Sequence, residues 1–171
     1  MDDDKVLEIA ANIAGDMLTQ LGLEAELKVQ FVEHDSADQT KKYIQVHYIG
    51  ENLGEVIGFS GQNLDALQIV FALQIAKAAG VERSAYRVLV DVNDYKEMRE
   101  RQLESYAKKE ANRAKEVGGI VELKPMKPFE RRIVHMVLKE MEGIETYSEG
   151  EGRDRHIVIK AAPNVADSEL F

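Results

Sequence analysis

Two of the chain's three prolines, Pro125 and Pro128, stand three residues apart just ahead of a strongly helical pattern. Proline lacks a backbone N–H and clashes inside a helix, so no helix can run through this point. A helix can begin at Pro128, because the first-turn N–H it lacks would have no intrahelical partner anyway. The chain must therefore stop one helix before residue 125 and start another at 128. Beyond the break, Arg131 and His135 are four apart and share one face, about one turn from each other. Lys127 sits at the helix mouth, where unpaired N–H groups and the positive end of the dipole also point. Such a constellation reads as a small anion site, most simply for a phosphate.

With 171 residues the chain can form one medium domain or two small ones, each with a real core. It has no cysteine, which excludes disulfides, thiolate metal sites and a thiol nucleophile. No apolar run approaches the roughly 20 residues of a membrane span and no signal peptide opens the sequence, so a cytoplasmic location is expected. The net charge of −9 argues against a global attraction to nucleic acid. That charge is unevenly spread. Residues 1–92 hold 7 Lys+Arg against 15 Asp+Glu, net −8, whereas residues 93–171 hold 15 against 16, net −1. A polyanion contact is expected in the second half, as a local patch.

In the first half, Val6, Ile9, Ile13, Met17 and Leu21 mark a helical stripe that Gly22 can cap. Ala25, Leu27, Val29 and Phe31 then alternate with polar residues, as do Ile44, Val46 and Tyr48, and residues 86–92 form a third strand pattern. The segment from His34 to Lys42 is polar and turn-like. A helix is expected over 62–79, with Leu64, Leu67, Phe71 and Ile75 inward. It follows a joint containing Gly54, Gly58 and Gly61, whose spacing fits neither a dinucleotide fingerprint nor a P-loop. Gly58 and Gly61, three apart, would let a ligand backbone approach the N-terminus of that helix.

The order helix, strand, strand, short helix, G-x-x-G, helix, strand resembles a type II KH domain. That resemblance implies a loop clamping the backbone of unpaired nucleotides beside a groove for bases. The variable loop positions here are Phe59 and Ser60, where KH loops often carry Lys or Arg. Phe59 could instead stack on a base or touch a protein.

In the second half, Asp94 and Glu97 read as a capping box opening a long helix, with Tyr95, Met98, Tyr106, Ala111, Ala114 and Val117 along its apolar stripe. Arg99, Lys108, Lys109, Arg113 and Lys115 read as its solvated face. A short strand at 120–123 leads to the proline break. In the helix beyond it, Phe129, Ile133, Met136 and Val137 are expected to pack, leaving Arg131 and His135 facing outward. Residues 144–148 and 156–160, around a glycine-rich loop, look like a hairpin, and an acidic, mobile tail is expected over 163–171.

Arg131-x-x-x-His135 after a proline turn, with a long helix before and a hairpin after, resembles the R-three-H domain, named for its Arg-three-residues-His motif. Taken with Gly58–Gln68 and with Glu145-Thr146-Tyr147-Ser148-Glu149-Gly150, the chain is identified as a member of the bacterial Jag family, also called KhpB. The expected fold class is α+β in two small domains: a type II KH-like domain over 1–92 and an R-three-H-like domain over 93–162, with a short three-stranded sheet and two helices. Typical members carry an additional N-terminal domain, which is expected to be missing here.

The resemblance implies a cytoplasmic single-stranded-RNA-binding protein linked to cell division, elongation or sporulation. It also implies a KH-only partner protein and an association with the membrane-protein insertase. Lys127, Arg131 and His135 are the expected phosphate ligands, with Arg132 and Arg153 secondary and Gly58, Phe59, Ser60 and Gly61 forming the KH contact. The alternative is a protein–protein adaptor with incidental RNA affinity. No enzyme, cofactor or metal is expected: His34, His47, His135 and His156 show no ligand spacing, and the serines lie in no nucleophile motif. His135 beside an arginine could serve as acid or base in phosphodiester cleavage, but no second catalytic group is in view.

Overall fold

The computed structural model describes residues 2–33 and 42–162. The expected turn at His34–Lys42 lies almost wholly, and the acidic tail wholly, outside the described residues. The chain divides into two compact units, residues 1–95 and 96–171. Both are α+β.

In the first unit, α1 (Asp3–Leu21) buries the row Val6, Ala10, Ala14 and Leu18. The expected Ile9, Ile13 and Met17 flank this row, and Leu21 is largely exposed. Two alanines on the inner row let the helix axis lie close to the sheet. Gly22, with φ +65°, ends the helix, and the Leu23 N–H reaches back to the Leu18 carbonyl at 3.0 Å.

Strands β1 (Glu26–Val32), β2 (Lys42–Ile49) and β3 (Tyr86–Val92) form a sheet in the order β1-β2-β3. The β1–β2 pair is antiparallel and the β2–β3 pair parallel. A parallel pair needs a crossover, and here that is α2 (Gly54–Ile57), a 3-10 turn at Phe59–Gly61, and α3 (Gln62–Ala79). Ile44, Val46 and Tyr48 meet Val88, Val90 and Val92 in the core with Leu64, Phe71 and Ile75 of α3. Tyr48 is fully buried and donates to the Ala14 carbonyl at 3.1 Å, and burial holds its phenol pKa well above the usual value. This is the type II KH-like element order that the sequence suggests.

One expectation needs correction. Residues 54–79 are long and apolar enough, by length and composition alone, to cross a membrane. Their apolar side chains divide between the core and an outward stripe of Ile69, Val70 and Leu73.

In the second unit, α4 (Tyr95–Val117) buries Leu103, Ala107, Ala111 and Ala114. Met98 and Val117, expected on that stripe, are about half or more exposed. Lys108–Glu104 and Arg113–Glu110 form the expected surface ion pairs, but Arg99 leaves that face to reach an inward carboxylate on α5. Strands β4 (Ile120–Glu122), β5 (Ile144–Glu149) and β6 (His156–Ala161) form an antiparallel sheet in the order β4-β6-β5.

Helix α5 (Pro128–Lys139) turns a different face inward from the expected one. Glu130, Val134 and Leu138 are buried, Ile133 and Val137 flank them, and Phe129 and Met136 are more than half exposed. A buried carboxylate occupies the place that the apolar pattern assigns to Phe129.

Candidate nucleic-acid interface

The segment ahead of α5 is tied to its surroundings by backbone bonds. Leu123 N–H donates to the Ile157 carbonyl at 2.9 Å, and Met126 N–H donates to the Arg155 carbonyl at 3.2 Å. Pro125, which has no N–H to offer, sits between these two anchors. Lys127 is extended (φ −62°, ψ 155°) and precedes the helix.

Glu130, 2% exposed, holds this entrance. One carboxylate oxygen accepts the Lys127 N–H at 3.0 Å, and the other accepts Arg99 Nε at 2.8 Å. The carboxylate thus satisfies an orphan N–H of the first turn and lies at the positive end of the dipole. The Lys127 ammonium lies 5.9 Å from the centre of the Phe129 ring, within cation–π range.

Arg131 and His135 share a face of α5 as expected, but neither projects freely. Arg131 is half-buried, and its Nη1 donates to the Met126 carbonyl at 2.8 Å. His135 is exposed, and its Nδ1 lies 2.7 Å from Thr146 Oγ1 on β5. Two positions further along β5, Ser148 Oγ accepts Arg155 Nε at 2.9 Å. Arg132 is exposed on α5 and Arg153 is exposed in the 3-10 turn Gly152–Asp154.

Hydrogen bonds therefore join Arg131 to Met126 and His135 to Thr146, two residues that the motif does not name, while Ser148 and Arg155 bond to each other. The signal for two of these was present. Ile144, Thr146 and Ser148 alternate on the half-buried side of β5. Glu130 also carries the mark of a helix-entrance carboxylate, three residues after Lys127.

The glycine loop of the first unit is geometrically specific and uncharged. Gly58 has φ +69° and ψ 179°, and a Cβ there would lie 2.5 Å from the Asn63 side chain. Asn63 Nδ2 donates to the Glu55 carbonyl at 2.6 Å, closing the joint from the α3 side. Ser60 (φ +49°) and buried Gly61 (φ +73°) continue the left-handed turn. Phe59 is 82% exposed.

One group leaves no mark in the linear sequence. His47, Asp91 and Asp94 bring potential ligand atoms within 4.8 Å of one another. Parallel register places His47 beside Asp91, a proximity that linear spacing cannot reveal. Asp94 N–H donates to His47 Nε2 at 3.4 Å, with its carboxylate 3.6 Å away, and Asp91 accepts the Val92 N–H at 2.9 Å. These bonds also replace the expected capping box. Asp94 has φ +56° instead of an extended capping conformation, and Glu97 pairs with Arg101.

Comparison with known proteins adds identity to this geometry. The family model of the R-three-H domain matches residues 101–161. The chain is 37% identical over 122 residues to "RNA-binding protein KhpB" of Clostridium symbiosum, covering 71% of this chain and 54% of that protein. The protein of the same name from Bacillus subtilis is 33% identical over 126 residues, covering 72% of this chain and 59% of the relative. The one from Streptococcus pneumoniae serotype 2 is 34% identical over 124 residues, covering 72% and 37%. The chain thus spans between about a third and three-fifths of the relatives it matches.

Proposed function

From the premise that this chain belongs to the Jag/KhpB family, we propose that it binds single-stranded RNA through its second unit, without catalysis. Lys127, Arg131 and His135 are the phosphate ligands, with Arg132 and Arg153 as outer contacts. The observation that carries this reading is the anchored entrance of α5. Glu130 fixes the backbone of Lys127 and the Met126 carbonyl holds the Arg131 guanidinium at a helix N-terminus, so the Arg131 cation is ordered before a ligand arrives. The relatives' names, RNA-binding proteins, support the ligand class. In this reading residues 1–92 are the KH-like domain and 93–162 the R-three-H domain. A cytoplasmic location and roles in division, elongation or sporulation belong to the same proposal.

Titrating labelled single-stranded RNA at several salt concentrations tests it. Neutralising about three to five phosphates predicts a slope of log K against log salt of roughly −2 to −3.5. A flat response contradicts the proposal.

A second reading has an observation of its own. Phe59 is 82% exposed, and α3 exposes Ile69, Val70 and Leu73, an apolar surface suited to a protein contact. In that reading the first unit docks a KH-only partner or the insertase. A Phe59→Lys variant separates the two: tighter RNA binding supports a nucleic-acid groove, and loss of a co-purifying protein supports the adaptor.

A further inference from the structure

In the first unit, the parallel pairing of β2 and β3 sets His47 beside Asp91, and residues in register point to the same side of a sheet. The chain then leaves β3 in a turn that brings Asp94 back to this pair. Asn93 shapes the turn. Its side chain donates to the Gly50 carbonyl at 2.8 Å and accepts the Gly50 N–H at 3.0 Å. Its own N–H donates to the Tyr48 carbonyl at 3.0 Å. Three bonds thus tie the turn to the end of β2, and Asn93 and Asp94 both take left-handed φ, +50° and +56°. An imidazole and two carboxylates, from two strands and a turn, end with ligand atoms within 4.8 Å of one another.

We propose that His47, Asp91 and Asp94 form a binding site for one divalent transition-metal ion, with zinc as its type. This goes beyond the RNA-binding reading and stands or falls separately from it.

The histidine decides the class of ion. Oxygen-only ligands suit magnesium or calcium, whereas an imidazole with carboxylates suits zinc and its first-row neighbours. His47 Nε2 accepts the Asp94 N–H, so the neutral ring carries its proton on Nδ1 and turns the Nε2 lone pair toward Asp94. That is the form a metal requires. The bond is 3.4 Å long, beyond the roughly 2.7–3.2 Å of a firm N–H bond, so an ion displaces little by taking its place. Ligands about 2.1 Å from a tetrahedral zinc stand about 3.4 Å apart. His47 Nε2 and Asp94 Oδ1 are already at 3.6 Å. The Asp94 side chain is 74% exposed, which leaves it room to close the remaining distance.

The charge also balances. Two carboxylates offset the ion's two charges, and the acidic first unit favours cations around it. Lys28 stands across from His47 on β1, but its ammonium is drawn to Glu26 at 3.3 Å.

The test uses the full chain, stripped with a chelator and exchanged into chelator-free buffer, with zinc chloride alone as the probe. Calorimetric titration should show one zinc ion bound saturably, with an equal concentration of magnesium failing to compete. His47→Gln and Asp94→Asn should each weaken that binding by at least about 10-fold, the least that losing even an outer-shell partner of a metal site costs. Zinc should raise the thermal midpoint of the original protein, as any ligand of the folded state does, and leave that of both variants in place. No saturable uptake by the original protein overturns the site. So does zinc binding of equal affinity in the original and both variants, which would put the ion elsewhere. Should His47→Gln melt early without zinc, Asp94→Asn decides the matter from its exposed position: affinity equal to the original overturns the proposal.

Discussion

At the scale of single residues, Glu130 has the largest structural role for its size. It is the sole buried charged side chain among the described residues, and both its oxygens are bonded. Replacing it with Ala removes the carboxylate that accepts the Lys127 N–H and the Arg99 guanidinium. Because Arg99 is 28% exposed and can regain water, the expected loss is about 2–3 kcal/mol, below that of a fully buried pair. Urea denaturation measures it, and Glu130→Gln should recover part. A loss under about 0.5 kcal/mol would mean that the entrance does not depend on this carboxylate.

Tyr48 gives a pH prediction. Burial raises its folded pKa above the unfolded value near 10, so the folded state favours the neutral phenol. Its contribution is fully present below about pH 10 and is lost as pH rises further toward the folded value. Tyr48→Phe should cost about 1 kcal/mol at pH 7 by losing the bond to Ala14, yet flatten the stability decline between about pH 10 and 11. An unchanged alkaline decline would contradict this assignment.

At the scale of elements, the glycine joint is the most demanding geometry in the first unit. Gly58 combines φ +69° with ψ 179°, a region essentially closed to other residues, and faces Asn63 without room for a Cβ. Gly58→Ala should destabilise the first unit by about 2–4 kcal/mol and release the Asn63–Glu55 bond. Thermal unfolding checks this, and a change below about 0.5 kcal/mol would show that the joint relaxes freely.

The alternating strands and the glycine cap of α1 were legible in the sequence because backbone periodicity and left-handed φ leave direct marks on residue choice. The inward faces of α4 and α5 were less legible. Large side chains such as Met98, Phe129 and Met136 dominate an apolar pattern, whereas the buried rows consist largely of alanines and one glutamate. Ala107 buries little area itself but permits close approach, and Glu130 is buried because its partners arrive from α4 and the helix entrance. Neither fact is visible in local hydropathy.

For the whole molecule, the first unit is acidic and its glycine loop offers Phe59 and Ser60, while the near-neutral second unit carries the ordered cations. The Arg131–His135 pair could be found from spacing alone. Strand alternation marks Thr146 as half-buried, but only the packing of α5 on β5 brings it to His135. His47 and Asp91, 44 positions apart, meet for the same kind of reason.

The most direct test of the central claim is the RNA affinity of the Arg131→Ala/His135→Ala variant beside its stability. Removing two charge-assisted hydrogen bonds to phosphate predicts weakening by at least about 10-fold. Folding should suffer by no more than about 1–2 kcal/mol, the bonds to Met126 and Thr146 being the ones removed. A folded double variant that binds single-stranded RNA as tightly as the original, with the same salt slope, would contradict the account.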